Sequence, residues 1–254
     1  MSSFVPGRNI CSLRTAGIIA ILMLYSHPGA WAQSMDTALT SLQKKNAISV
    51  YYRSLQQQSG LYNGSEYVPY VDMLKESHPY FDTSKMVNGS VYYNGISYTN
   101  VPMVYDIVRD ELIILHFNKV FFLQLIKSKT ESFEILGHSF VHLGRDSTKK
   151  EGVRDSFYDL LYNGKIKLYA KREKMILESI PNMTIERKTY SKNRYFIFKK
   201  DRYTEVYSKK SLLYFFNDKK SILKQSLKKQ KIKFRKQREQ AIIAMVEQYD
   251  LINP

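Results

Sequence analysis

The sequence predicts a mainly β chain of the α+β class: an antiparallel meander forming a sandwich or partly open barrel, with an N-terminal helix and a C-terminal basic helical segment. Three observations carry this. Tyr and Phe, which favour a pleated, half-buried surface, number 20 and 13 in 254 residues. From residue 89 onward, short apolar or alternating runs follow one another closely, separated by Asn-Gly and charged turns. After residue 208 the apolar period changes from two to the three and four of a helix.

The chain opens on Arg8 and Arg14, an uncharged apolar run over residues 16–25, and the small-residue triplet Ala30-Trp31-Ala32. This is the layout of a secretory signal peptide cut before Gln33, and the run is short for a permanent membrane span. It predicts an exported protein, periplasmic or outer-membrane-associated. Four segments follow: a signal peptide over 1–32, a helical segment over 33–60, an antiparallel β domain over 61–208, and a basic helical tail over 209–254 packed on the sheet. In the second segment Asp36 is placed to cap a helix bearing Leu39, Leu42, Ile48, Tyr51 and Leu55, which Gly60 ends.

Residues 61–64 (Leu-Tyr-Asn-Gly) read as a turn, and Pro69 and Pro79 limit regular structure in the stretch from Glu66 to Phe81. Residues 89–98 form a hairpin around Asn94-Gly95, a pair that tolerates the positive φ of a tight turn. Strands are expected over 101–108, 111–117, 119–126, 132–136 and 139–143, paired in sequence order as a meander. A polar loop spans 144–152. A second set runs over 157–162, the turn Asn163-Gly164, 165–178, 185–190, 194–198 and 203–207. Within it Ile166, Leu168 and Ala170 alternate with Lys167, Tyr169 and Lys171, predicting one buried face and one wet face. In the tail Leu212, Leu213, Phe216, Leu223, Leu227, Ile242, Val246 and Tyr249 recur at helical spacing, giving two or three helices on narrow apolar stripes.

Charge is concentrated in that tail. Without the leader the chain holds 37 Lys and Arg against 23 Asp and Glu, and residues 209–238 alone hold twelve basic residues against Asp218. Lys219, Lys220, Lys224, Lys228, Lys229, Lys231, Lys233, Arg235, Lys236 and Arg238 form the candidate binding surface, too numerous for the apolar stripes to bury. Its expected partners are anionic lipid, lipopolysaccharide or acidic glycan, with a protein partner in the envelope as another candidate. No specific nucleic-acid motif is present. The only cysteine, Cys11, precedes the apolar run, so the mature chain has no disulfide, thiol nucleophile or thiolate metal site.

The strings LYNGSEYVPY, HPYF, GSVYYNGISYTNVPMVYDIVRDELI, LLYNGKIKLYAKR and SKKSLLYFFNDKK resemble a set of exported β-rich proteins of the Bacteroidota that carry no assigned activity. The resemblance covers most of the mature chain. It implies envelope localisation and a β-rich fold, and it assigns no functional residues.

Chemistry is sparse. His138 and His142 are four apart and share a face, but a zinc site needs a third ligand and none stands at a recognisable spacing. They are read as polar strand residues, and no metal or cofactor is assigned. Asp106, Asp110 and Glu111 cluster at a strand junction, where paired carboxylates could support an envelope hydrolase, but solvated turn residues are the simpler reading. No nucleophile elbow, phosphate loop or dinucleotide fingerprint occurs. Asn63, Asn88 and Asn182 match the glycosylation pattern, though Asn-Gly already has a turn explanation at the first two. The reading is therefore a non-enzymatic binding or structural component of the envelope, with the hydrolase and an integral outer-membrane barrel as alternatives.

Overall fold

The computed structural model describes residues 43–44, 60–144 and 152–253. The leader, nearly all of the expected helix over 36–58, and residues 145–151 of the polar loop lie outside the described residues. Within the unit that begins at Tyr52, the fold is mainly β, with a single eleven-stranded antiparallel sheet and C-terminal helices. The strands are β1 (Ser65–Tyr67), β2 (Val87–Tyr93), β3 (Ile96–Asp106), β4 (Glu111–Leu115), β5 (Phe122–Gln124), β6 (Thr130–Ile135), β7 (His138–Leu143), β8 (Ser156–Asn163), β9 (Lys167–Ser179), β10 (Glu186–Lys199) and β11 (Arg202–Glu205). Their order is β1-β5-β4-β3-β2-β6-β7-β8-β9-β10-β11. Two meanders, β2 to β5 and β6 to β11, are joined where β6 pairs with β2 instead of β5. β1 then closes the far edge against β5, using a segment in which the prolines leave only three residues for a strand.

Local turn chemistry explains the hairpins. Asn94 and Gly95 both have positive φ (51° and 79°), the geometry that matches strand twist in a two-residue turn. Runs expected as separate strands merge in two places. Residues 96–98 and 101–106 are one strand because the register shifts between Gly89 and Val91, and Asn100 absorbs the extra residue at φ 58°. Residues 186–199 likewise form one strand, paired with β9 from Glu186 to Phe198.

The sheet curls instead of stacking two layers as a sandwich. Tyr105 of β3 meets Phe140 of β7 and Phe157 of β8 at ring-centroid distances of 5.0 and 5.9 Å, although three strands separate β3 from β8. Residues 79–81 bridge the gap: the Phe81 amide donates to the Tyr105 carbonyl, Ile107 donates to the Pro79 carbonyl, and Lys174 of β9 donates to the Ile107 carbonyl. The result is a partly open barrel filled by Tyr105, Phe133, Phe140 and Phe157 in edge-to-face and stacked contacts. Each such contact adds about 0.5–1.5 kcal/mol beyond burial.

The tail forms α1 (Lys209–Phe215), α2 (Lys220–Lys229) and α3 (Arg238–Leu251). Ser208 starts α1 with a reciprocal capping box to Ser211. The eight tail residues expected to be apolar anchors are all buried, in one core with Ile166, Leu168, Ala170, Tyr195 and Ile197 of the sheet. One expectation fails on β9. Residues 168–172 are buried on both faces, Lys171 and Arg172 included, because the helices cover one side while Tyr158, Phe196 and Tyr203 pack with Tyr169 on the other. No helix among the described residues is long and apolar enough to cross a membrane.

Candidate functional site

The basic surface stands where the tail's periodicity places it. Leu223 and Leu227 turn α2 inward, which leaves Lys220, Lys224 and Lys228 in an outward row at spacing four. Lys229, Lys231, Lys233, Arg235, Lys236 and Arg238 are also exposed, and Lys219 is half-buried. Among the described residues none of the ten pairs with a carboxylate. Arg238 instead donates to the Tyr207 carbonyl at 2.8 Å, with its guanidinium 5.3 Å over the Tyr195 ring. Like charges four apart destabilise a helix by a few tenths of a kcal/mol each, roughly. The dipole offsets this for Lys228 and Lys229 in the last turn, but not for Lys220 in the first. Between α2 and α3 lies a shallow cleft of about 570 Å³, where Ile222 and Gln225 sit beside Lys228 and Lys229.

The acidic junction differs from a cluster of solvated turn residues. Asp106 is fully buried. One of its oxygens accepts from the Tyr67 and Tyr70 hydroxyls at 2.9 and 2.8 Å, the other from the Val108 and Arg109 amides at 2.9 and 3.0 Å. Burial first, then the Asp106 hydrogen bond and charge, raise the Tyr70 phenol well above its ordinary value, so it stays a donor. The Arg109 guanidinium lies 4.1 Å from the Tyr70 ring centroid.

Asp110 takes four donors: Tyr105 Oη and Lys127 Nζ at 2.6 Å, Ser156 Oγ at 2.6 Å and Lys171 Nζ at 2.5 Å. Burial would raise its pKa, but the two ammoniums and the Ser156 hydroxyl more than reverse this and hold it below its ordinary value. Glu111 is half-buried and, with burial dominant, raised. Asp106 and Asp110 thus have their oxygens fully engaged, which leaves neither free to act as the acid or nucleophile of a glycosidase pair.

A second network ties the tail to the barrel. Arg172 reaches Asp159 with Nε and Nη2 at 2.9 and 2.6 Å, and Glu239 of α3 with Nη1 and Nη2 at 2.5 and 3.0 Å. Tyr195 Oη donates to Glu239 at 3.0 Å. Burial opposes the Arg172 charge, but the two carboxylates outweigh it and raise its pKa. His138 Nδ1 lies 2.8 Å from Asp159, with its ring at a cleft of about 380 Å³ that Arg172, Lys174, Asn193 and Glu239 also line. Asp159 orients this imidazole, an arrangement able to move a proton, but the same carboxylate is also the counter-ion of Arg172.

His138 and His142 share a strand face but take different partners, since His142 Nε2 lies 2.6 Å from Asp155. No group of three or more metal-ligating side chains occurs among the described residues. Sequence reasoning missed Asp159, Lys171, Arg172 and Glu239. Nothing local singles them out, since Lys171 and Arg172 open a run of four charged residues over 171–174 that reads as a solvated stretch. Comparison with protein-family models, curated protein sequences and solved structures finds no match to this chain.

Proposed function

We propose that the chain is exported, cut near Ala32, and serves in the cell envelope as a non-enzymatic binding component that attaches to anionic phospholipid through its tail. The observation that carries this reading is the division of α2 and the stretch leading into α3. Leu223 and Leu227 of α2 are buried in the core shared with the sheet, while nine cations face solvent without a carboxylate partner among the described residues. The cleft beside Ile222, Lys228 and Lys229 offers a headgroup both charge and apolar surface. The engaged state of Asp106 and Asp110 favours binding over hydrolysis. An open sheet with edges at β1 and β11 lacks the closed ladder that a lipid-spanning barrel requires, which favours attachment over insertion.

Co-sedimentation with vesicles of phosphatidylglycerol tests the proposal. Binding should weaken as salt rises, because exposed charges are screened within about 8 Å at physiological ionic strength. Reversing Lys228, Lys229, Lys231 and Lys233 to glutamate should abolish low-salt binding while leaving the circular dichroism unchanged. Unaltered binding by that variant would remove the tail from the function.

A further inference from the structure

The β9–β10 hairpin outreaches its neighbours. β8 pairs with β9 only from Lys167 to Ala170, and β11 with β10 only from Phe196 to Lys199. The two long strands continue together to the Ser179–Glu186 pair, turning through Pro181–Met183. Residues directly opposite share a face, so Met175 stands beside Tyr190 and Leu177 beside Lys188. The other face, with Ile176 and Thr189, is half-buried. At that edge Lys75 donates to the Arg187 carbonyl at 2.8 Å, and Thr189 donates to Ser77 Oγ at 3.1 Å.

The open face and the turn are unusually apolar for a projecting element. Exposure is 46% at Met175, 55% at Leu177, 59% at Tyr190, 71% at Ile180, 98% at Met183 and 59% at Ile185. Scattered exposed apolar residues are ordinary, but six gathered on one projecting hairpin mark a surface meant to be covered. The charge around them is positive. Lys188 and Lys192 are exposed and have no ion pair among the described residues, whereas Glu178 and Glu186 are each paired, to Arg187 and Lys75.

The stretch leading into α3 lies toward the hairpin's end of β9, whereas Lys228 and Lys229 lie beside Gln248 near the other end of α3. α3 runs beside β9 from Glu239, bound at Arg172, to Asp250, which accepts from Tyr162 Oη and the Lys165 amide at the β8–β9 turn. Its N-terminal end, preceded by Lys231, Lys233, Arg235 and Lys236, therefore faces the end of the sheet from which the hairpin projects.

We propose that the tip of this hairpin is a membrane anchor. Ile180, Met183 and Ile185 enter the boundary between headgroups and acyl chains of an anionic bilayer, with Lys188 at headgroup level and Lys192 further out, facing the anionic surface. Apolar insertion and cationic attraction together give the interfacial binding that neither supplies firmly alone. The anchor rests on the proposed function for its choice of an anionic surface, and adds an apolar contact that salt does not screen.

The test places a reporter at the tip: Met183→Trp in the exported protein cut before Gln33, which has no other tryptophan, mixed with vesicles of equal parts phosphatidylglycerol and phosphatidylcholine. Tryptophan emission should shift to the blue and be quenched by brominated acyl chains. The double variant Ile180→Asp/Met183→Asp, at exposed positions, should keep its melting temperature and lose vesicle affinity by at least about tenfold, also at high salt. An unshifted emission would overturn the anchor even if the four-lysine reversal abolishes binding, and the basic surface would then stand alone. A shifted emission with unaltered binding by the reversed variant would keep the anchor and remove the tail. Loss of a dimer in the double variant, with vesicle binding intact, would assign the tip to a second copy of the chain and overturn the anchor.

Discussion

Asp159 sits 1% exposed between Arg172 and His138, and its stability in that position depends on them. Removing one member of a buried ion pair typically costs about 3–5 kcal/mol, because the remaining charge is stranded. Arg172→Met should therefore lower the melting temperature sharply and loosen α3, visible as faster amide exchange in residues 238–251. Glu239 gives the same network a pH signature. Burial pushes its pKa up, but Arg172 and Tyr195 pull it below the ordinary 4.5. A carboxylate with a depressed folded value stabilises above its unfolded value and loses that contribution as pH falls through the folded one. Melting temperature should thus decline below about pH 4.5, and Glu239→Gln should flatten the decline while starting from a lower plateau. An equally steep acid limb in the variant would assign the sensitivity to other groups, Asp110 first among them. None of this network was legible in the sequence, because Arg172 lies 67 residues from Glu239. Period-two alternation assigns Lys171 to water, and only knowledge that Asp110 arrives 61 residues away explains why it is buried.

Elements were legible where their cause is local. Asn94-Gly95 dictates a hairpin within four residues, and the tail's leucines mark their inward stripe without reference to the sheet. Strand order was not legible, since β6 must choose β2 over β5 and its own residues fit either neighbour. The choice leaves a test at Gly89, on β2 between β3 and β6. A Cβ there would stand 2.3 Å from the Glu134 carbonyl oxygen of β6 and 2.8 Å from Met103 Sδ of β3. The Met103 side chain can yield, but the Glu134 backbone is fixed by its pairing with Ser139. Gly89→Ala should cost about 1–3 kcal/mol, as overpacking in a filled core does, and should widen the β2–β6 ladder. A melting temperature equal to that of the unsubstituted chain would show that this register has slack.

At the scale of the whole molecule, the tail does two things that pull against each other. Its leucines, with Val246 and Tyr249, close the core over β9 and β10, while its lysines raise the net charge of the chain to +16. A single cysteine allows no intrachain disulfide, so the fold must hold against this self-repulsion by packing and buried ion pairs alone. If the lysines served stability, their reversal would weaken the fold. The geometry argues the opposite, since Lys228, Lys229, Lys231 and Lys233 are exposed and make no ion pair among the described residues. Replacing them with glutamate halves the net charge. At low ionic strength the variant should therefore melt at the same temperature as the unsubstituted chain or above it. The loss of favourable dipole contacts at Lys228 and Lys229 limits the gain, since each is worth about 0.3–1 kcal/mol. Any difference should shrink as salt screens both effects. A variant that melts well below the unsubstituted chain at every salt concentration would make the lysines structural, and a loss of vesicle binding in it would then report unfolding instead of a lost surface.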